Sequence, residues 1–294
     1  MKKIGFIGVG IMGKSMVKNL MKAGFELHIY ARTKSKVEDV IGEGAQFHES
    51  IKDCVQDCDA VITIVGFPQD VEEVYFDEGN ILDSAKKGAY LIDMTTTSPQ
   101  IAEKIYEEGT KRGFHVMDAP VTGGDTGAKA GTLSILVGGE KEDYEACMPL
   151  FEAMGTNINY QGKAGCGQHC KLANQIMIAG TLSGVCEALT YAKEQGLDPE
   201  VFMKSVATGA AGSKQLDTFG PKILKDDYAP GFFMKHFIKD MKLALIEANR
   251  KGLSLDVLSM VLANYEELEQ EGYGDLGTQA LMKFYDEEHR NMDE

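Results

Sequence analysis

The sequence predicts a doubly wound α/β domain with a mainly parallel sheet, joined by one long helix to an all-helical domain. Three observations carry that prediction. Apolar runs of strand length alternate with helical patterns through the first half of the chain. The pattern G-x-G-x-x-G falls directly after the first of those runs, where a helix begins. Beyond about residue 164 the strand patterns stop, and apolar residues recur at helical spacing.

The elements follow in order. Residues 3–8 (KIGFIG) read as a buried strand, 11–23 as a helix and 26–30 (ELHIY) as a second strand. Ala60 to Val65 is apolar almost throughout and so nearly is Ala89 to Ile92, as in strands of a parallel sheet covered by helices on both faces. Helical stretches lie at roughly 34–42, 69–76 and 99–112, the last opened by Ser98 as cap and Pro99 in the first turn. Phe114 to Asp118 and Leu133 to Val137 continue the strands. Gly167 to Glu194 then reads as one proline-free helix, about 42 Å long at ~1.5 Å per residue. Helical patterns fill 198–208, 214–225, 235–251, 255–271 and 278–288; Asp198-Pro199 starts the first, and Gly252 and Gly272 end two others. The expected domains are 1–163 and 164–294, with the interdomain helix at about 167–194.

Bulk properties narrow the function classes. A chain of 294 residues is long for one core, so two domains are expected. A formal charge of −15 argues against general nucleic-acid binding, which runs on phosphate neutralisation. No apolar run is expected to span a membrane, which takes roughly 20 residues. Lys2, Lys3 and the apolar stretch Ile4 to Met12 imitate a secretion signal, but no small-residue cleavage site follows and Lys14, Lys18 and Lys22 sit on a helical pattern. Six cysteines form no tight pattern; Cys54 and Cys58, like Cys166 and Cys170, are spaced as on helix faces. Cys166, His169 and Cys170 lack the distant second pair that structural zinc sites use, so no metal is expected. Reduced thiols without an export signal imply a cytoplasmic protein.

Gly8, Gly10 and Gly13 have the context of a Rossmann dinucleotide turn: a strand before, a helix after, and a second strand at the right distance. Gly8 permits the tight turn, Gly10 lets a pyrophosphate meet the backbone, and Gly13 lets helix and strand pack closely. The amides at the helix start, from Ile11 and Met12 onward, then hold the phosphate charge. The end of the second strand reads Tyr30-Ala31-Arg32-Thr33-Lys34-Ser35-Lys36, with no acid until Glu38 to grip the ribose of NAD. Arg32 can form charge-assisted bonds to a 2′-phosphate, with Thr33 and Lys36 helping. NADP(H) is therefore expected over NAD(H), with NAD(H) possible; a solvated turn is the plain alternative.

Three further stretches bear on chemistry. Asp118-Ala119-Pro120-Val121-Thr122-Gly123-Gly124 follows a strand, and its backbone amides with the Thr122 hydroxyl suit a carboxylate. Gly165-Cys166-Gly167 leads to Lys171 and Asn174, which share a helix face at i and i+3. A lysine held in a cleft can protonate a carbonyl oxygen as hydride arrives at carbon, although a lysine that snorkels to solvent would look the same. Lys235, Lys239 and Lys242 make one helical stripe, which reads either as a solvated face or as a focus for an anionic ligand.

These stretches, in this order and at these separations, resemble the β-hydroxyacid dehydrogenase family (3-hydroxyisobutyrate dehydrogenase, tartronate semialdehyde reductase and glyoxylate/succinic semialdehyde reductase type). The resemblance runs from Lys3 to about Lys283. It implies that Gly8, Gly10, Ile11, Met12 and Gly13 form the cofactor loop, and that Thr96 contacts the cofactor. It further implies that Thr122, Gly123 and Gly124 hold the substrate carboxylate, and that Lys171 is the acid/base with Asn174 positioning the substrate. Lys239 would reach cofactor or substrate from the helical domain, and members are usually dimers or tetramers. Three positions depart from the family pattern: Thr122 stands where serine is common, Ala31 where asparagine is common, and Asp125 where an apolar residue is common. Asp125 would disfavour a second substrate carboxylate unless it turns outward.

The expected activity is hydride transfer between NADP(H) and a short β-hydroxy acid or aldehyde acid, by a homodimer or homotetramer that binds neither nucleic acid nor membrane. An imine reductase on the same scaffold and a non-catalytic dinucleotide sensor are the rival readings; Lys171 speaks against the first, and Lys171 with Asn174 against the second. If Arg32 holds a 2′-phosphate, Arg32→Ala will raise the Michaelis constant for NADPH far more than that for NADH, measured by initial rates with each cofactor.

Overall fold

The structure, a computed structural model, describes residues 1–285. The chain divides into two compact units, Met1–Lys171 and the remainder from Leu172.

The first unit is built on a nine-stranded sheet. Its strands are β1 (Lys3–Ile7), β2 (Glu26–Tyr30), β3 (Gln46–Phe47), β4 (Ala60–Thr63), β5 (Tyr90–Asp93), β6 (His115–Asp118), β7 (Val121–Thr122), β8 (Leu133–Gly139) and β9 (Gly155–Gly162). The order is β3-β2-β1-β4-β5-β6-β8-β7, with β9 pairing β8. From β3 to β6 all neighbours are parallel; β8 runs antiparallel to β6 and β7. Strand order reverses at β1, which lies between β2 and β4. At such a reversal the loops leaving adjacent strands diverge, and ligands of open α/β sheets sit outside the carboxyl ends there.

Alternation along the strands explains the two-sided burial. Ile4, Phe6 and Ile62 pack with Met16, Val17 and Leu20 of helix Ile11–Lys22 and with Phe151 on one face. Ile7, Val61 and Leu91 pack on the other, with Val71 and Val74 of helix Pro68–Phe76 and Ile105 of helix Pro99–Lys111. Each such fully buried side chain contributes roughly 1.5–3 kcal/mol against exposure. The Ser98 hydroxyl accepts from Gln100 N, as its position before Pro99 implies.

The differences from the sequence reading concern short elements and one polar edge strand, β9. Residues 34–42 split into a 3₁₀ turn, Lys34–Val37, and a helix, Glu38–Gly42. Strands β3, β7 and β9 and helices Ile51–Val55, Ile81–Ser84, Gly124–Ala130, Lys141–Ala146 and Met148–Met154 were not expected. A strand of two residues or a helix of four to seven has too few positions to display a period. Cys54 lies in helix Ile51–Val55, but Cys58 lies past its end and donates its thiol to the Cys54 carbonyl at 3.1 Å.

The second unit is helical. The long helix spans Cys166–Glu194, and Pro199–Val206, Lys214–Ile223, Met234–Arg250 and Asp256–Gln270 follow. The Asp198 carboxylate accepts from Glu200 N and Val201 N, capping the helix that Pro199 opens. Leu182, Phe237, Met241, Val261, Tyr265 and Leu268 form the centre of the core. Residues 278–285 are 3₁₀ rather than α-helical, and the expected continuation over 286–288 lies outside the described residues. By length and composition the helix Cys166–Glu194 is long and apolar enough to cross a membrane, contrary to the reading of the sequence. Its Leu172, Ala179, Leu182, Cys186 and Leu189 are buried in the core of this unit, as in a core helix.

All six cysteines are free; Cys54, Cys58, Cys147 and Cys186 are buried, and Cys166 and Cys170 are partly so.

Helix Ile11–Lys22 approaches β1 closely because position 13 is glycine: a Cβ there would stand 2.1 Å from the Gly8 carbonyl oxygen and 3.2 Å from the Phe6 ring. Gly13→Ala must push backbone from backbone, at a cost of about 1–3 kcal/mol. A melting temperature several degrees lower, together with weaker dinucleotide binding by calorimetry, is the expected result.

Candidate active site

The glycine turn is shaped as the dinucleotide reading requires. Gly8 has φ 96°, in the left-handed region, and a Cβ on it would lie 2.1 Å from the Ile64 carbonyl oxygen. At Gly10, by contrast, no atom beyond its chain neighbours lies within 4 Å of where a Cβ would stand. No side chain caps the helix that starts at Ile11, so its first amides, including those of Met12 and Gly13, keep their positive end for an anion. A backbone with space beside it and an uncapped helix behind it fits a pyrophosphate.

Arg32 lies past the end of β2, its side chain 73% exposed, with Nη1 3.2 Å from Asp70 Oδ1. Asp70 is held in place by its other oxygen, which accepts from Phe67 N at 3.0 Å at the start of helix Pro68–Phe76. Thr33 and Lys36 are exposed on the same turn, while Lys34 reaches Glu49 at 3.7 Å and the face of Phe47. Exposed ion pairs of this kind contribute about 0–1 kcal/mol, so a phosphate dianion would compete well for Arg32. Asp70 gave no signal in the sequence, since it reaches Arg32 only through the fold.

The ends of β4, β5 and β6 carry a buried polar network. Thr63 donates its hydroxyl to Asp93 Oδ1 at 2.7 Å, and Thr95 N donates to the same oxygen at 3.1 Å. The Thr95 hydroxyl accepts from Val65 N at 3.0 Å. Thr96 sits between two neighbours whose backbone is held, because Thr97 N donates to Gln168 Oε1 at 3.0 Å and Gln168 Nε2 donates to Thr95 O at 2.7 Å. Asp93 is fully enclosed; burial, reinforced by the negative charge of Asp118, pushes its carboxyl up to about 6 against the pull of its threonine hydrogen bonds.

Asp118, paired with Asp93 across β5 and β6, anchors the long helix. Its Oδ1 accepts from Gly165 N and its Oδ2 from Gln168 N, both at 2.8 Å. Two glycines make this approach possible: a Cβ at Gly138 would stand 2.5 Å from Asp118 Oδ1, and one at Gly167 2.4 Å from the Leu136 carbonyl oxygen. Lys171, one turn after Gln168, is only 7% exposed. It is a buried lysine rather than one that snorkels to solvent.

Thr122 ends β7, and Gly123 and Gly124 follow with φ 129° and 64°, conformations that L side chains rarely adopt. Asp125 is engaged on its own helix, 3.4 Å from Lys129, as a surface pair.

In the second unit a buried relay joins two of the residues singled out in the sequence. The Asn174 amide donates to Gln175 Oε1 at 2.7 Å, and Gln175 Nε2 donates to Asp240 Oδ2 at 2.6 Å. Lys239 Nζ lies 2.9 Å from Asp240 Oδ1, and Asp240 is fully buried. The lysine stripe is not an open focus for anions: Lys235 pairs with Asp275 at 2.6 Å and Lys242 with Glu266 at 2.7 Å. Lys239 alone of the three is largely enclosed. Asp240 escaped the sequence reading because an acid next to a lysine looks like any exposed charged pair. Among the described residues no group of three or more His, Cys, Asp or Glu is placed to hold a metal ion.

Comparison with known proteins agrees with this arrangement. Residues 3–162 match the model of the NAD-binding domain of 6-phosphogluconate dehydrogenase. Residues 165–285 match the NAD-binding family of NADP-dependent 3-hydroxyisobutyrate dehydrogenase. An uncharacterised oxidoreductase of Bacillus subtilis is 50% identical over 97% of this chain and 99% of its own. A probable mitochondrial 3-hydroxyisobutyrate dehydrogenase-like protein of Arabidopsis thaliana is 45% identical over 95% of this chain and 84% of its own. The solved structure of Mycobacterium tuberculosis 3-hydroxyisobutyrate dehydrogenase with L-serine superposes with a TM-score of 0.88 at 26% identity, covering 96% of this chain and 98% of that one.

The enclosed Asp93 has a consequence for stability. Its folded value, about 6, lies above the ordinary carboxyl value of 3.8, so between these values the folded state binds more proton than the unfolded one. The contribution of this group to stability is therefore present at low pH and lost as pH rises through about 6, a difference of ~3 kcal/mol in all. In urea titrations at pH 4.5 and pH 7, Asp93→Asn should gain about 2 kcal/mol relative to the unsubstituted protein between the lower and the higher pH.

Proposed function

The chain belongs to the β-hydroxyacid dehydrogenase family of NAD(P)-dependent oxidoreductases, and from that premise we propose that it moves hydride between NADP(H) and a short carboxylic acid bearing a β-hydroxyl or an aldehyde. The observation that carries this reading is the buried Lys171, set one turn into a helix whose start is tied to the loops at the carboxyl ends of β5 and β6.

The glycine turn from Gly8 to Gly13 would hold the pyrophosphate, Arg32 with Thr33 and Lys36 the 2′-phosphate, and Thr96 the adjoining part of the cofactor. The bound nicotinamide supplies or accepts the hydride. The remaining work falls to the protein. Backbone amides at Gly123 and Gly124, with the Thr122 hydroxyl, fix the substrate carboxylate, and such positioning supplies several kcal/mol of barrier reduction. In reduction Lys171 gives a proton to the oxygen of the forming alcohol; in oxidation it removes that proton. Asn174 orients the same oxygen, and its own orientation is set by Gln175 and Asp240. Lys239, which the family resemblance would give to cofactor or substrate, is held by the buried Asp240. The added methyl of Thr122 narrows the pocket and favours a small acid.

Self-association belongs to the same proposal. Of the twelve large apolar residues that are exposed among those described, nine lie beyond Leu172, Met177 and Tyr191 on the long helix among them. A homodimer or homotetramer that covers them is the expected state.

A panel of β-hydroxy acids, aldehyde acids and cyclic imines, followed by NADPH and NADH absorbance, tests the reading. Turnover of the acids with NADPH is expected, and Lys171→Ala should reduce it by orders of magnitude while cofactor still binds by calorimetry. Cofactor binding with no turnover of any compound would replace the enzyme by a sensor, and full turnover by Lys171→Ala would remove the lysine from the chemistry.

A further inference from the structure

The start of the long helix is tied to the sheet by a side chain that neither the cofactor loop nor the proton transfer uses. Gln168 is fully buried. Its carboxamide oxygen accepts from Thr97 N at 3.0 Å, and its carboxamide nitrogen donates to Thr95 O at 2.7 Å. The amide side chain thus pairs with two alternate backbone groups of the irregular segment that follows β5. Only asparagine and glutamine carry a donor and an acceptor side by side for this, and asparagine is one carbon shorter. The backbone amide of Gln168 is meanwhile fixed to Asp118 Oδ2 at 2.8 Å. Thr95 is held from its other side as well, by Val65 N and Asp93. The residue between the two clamped positions is Thr96, and the residue one turn along the helix is Lys171.

We propose that Gln168 is a positioning residue for the reaction: its carboxamide locks the Thr95–Thr97 segment to the first turn of helix Cys166–Glu194, so that Thr96 and Lys171 are held as one piece. The proposal rests on the assignment of Thr96 to cofactor contact and of Lys171 to proton transfer. Its energetic basis is the cost of leaving a buried amide N–H and a buried carbonyl without partners. When the carboxamide is lost, the segment and the helix turn shift to find new partners. A misplacement of about 1 Å at a reacting group can cost ~100-fold in rate.

The test uses Gln168→Met, which keeps length and removes both polar atoms. Deuterium exchange by mass spectrometry should show peptides over 94–98 and 165–171 losing protection together. Turnover should fall at least tenfold, with the cofactor Michaelis constant rising. In a Lys171→Ala background at saturating cofactor the same change should cost less than a further twofold in turnover, because the lysine it positions is gone and saturation removes the effect carried by Thr96. Gln168→Glu, which still accepts from Thr97 N but faces Thr95 O with a second acceptor, should give the same pattern with a smaller loss, and it replaces the methionine variant if that one does not fold. Turnover and Michaelis constants within twofold of the unsubstituted enzyme, or a full tenfold loss added on top of Lys171→Ala, would reduce Gln168 to a structural role. Full turnover by Lys171→Ala alone would instead overturn the lysine assignment, and with it the clamp as a device for catalysis.

Discussion

The geometry of the first unit depends on one buried carboxylate. Asp118 ends β6 and turns both oxygens to the backbone amides of Gly165 and Gln168. A helix start leaves several N–H groups unpartnered, and a carboxylate placed there satisfies two of them and favours the positive end of the helix dipole. Burial still pushes the carboxyl upward, against those hydrogen bonds. The charge is thus kept where desolvation opposes it, and the two amides are what hold it there. Because the contact needs the helix start almost on top of β8, residues 138 and 167 have no room for a side chain.

Asp93 stands beside Asp118 in register on the neighbouring strand. Two acids at adjacent strand ends, both enclosed, repel one another, and this is part of why Asp93 holds its proton to higher pH. Such a pair is costly for stability, and active sites are where proteins tolerate that cost. Here the acids spend their hydrogen bonds on the protein itself: Asp93 on the Thr63 hydroxyl and Thr95 N, Asp118 on the helix start. They fix the segments that carry Thr96 and Lys171 rather than facing a ligand themselves.

Most of this fold was legible because its long elements carry periods that survive in the sequence. The runs at Ala60 and Ala89 could only be strands buried on both faces, and the cap at Asp198-Pro199 marked a helix to within a residue. What was illegible was short or depended on the fold for its meaning. The two-residue strands at Gln46 and Val121 exist only because a neighbour offers a ladder, and β9 lies at an edge, where polar residues such as Asn157, Asn159 and Gln161 hide the strand pattern. The site divides in the same way. Gly8, Gly10 and Gly13 are legible through their spacing, and the structure gives Gly8 a left-handed φ, leaves room beside Gly10 and packs Gly13 against the Gly8 backbone. Asp70, Gln168 and Asp240 meet their partners across separations of 38 to 73 residues, and no local pattern records such a meeting. Lys171 was ambiguous in sequence because a buried and a solvated lysine share one letter; burial is decided by what packs around it.

The distribution of the cysteines makes the molecule easy to instrument. Cys54, Cys58, Cys147 and Cys186 lie in cores where burial disfavours the thiolate, so they are shielded from alkylating reagents. Cys166 and Cys170 remain, partly accessible and four residues apart on the opening turns of the long helix. A maleimide fluorophore attached to the native chain would therefore report from the turn that leads to Lys171.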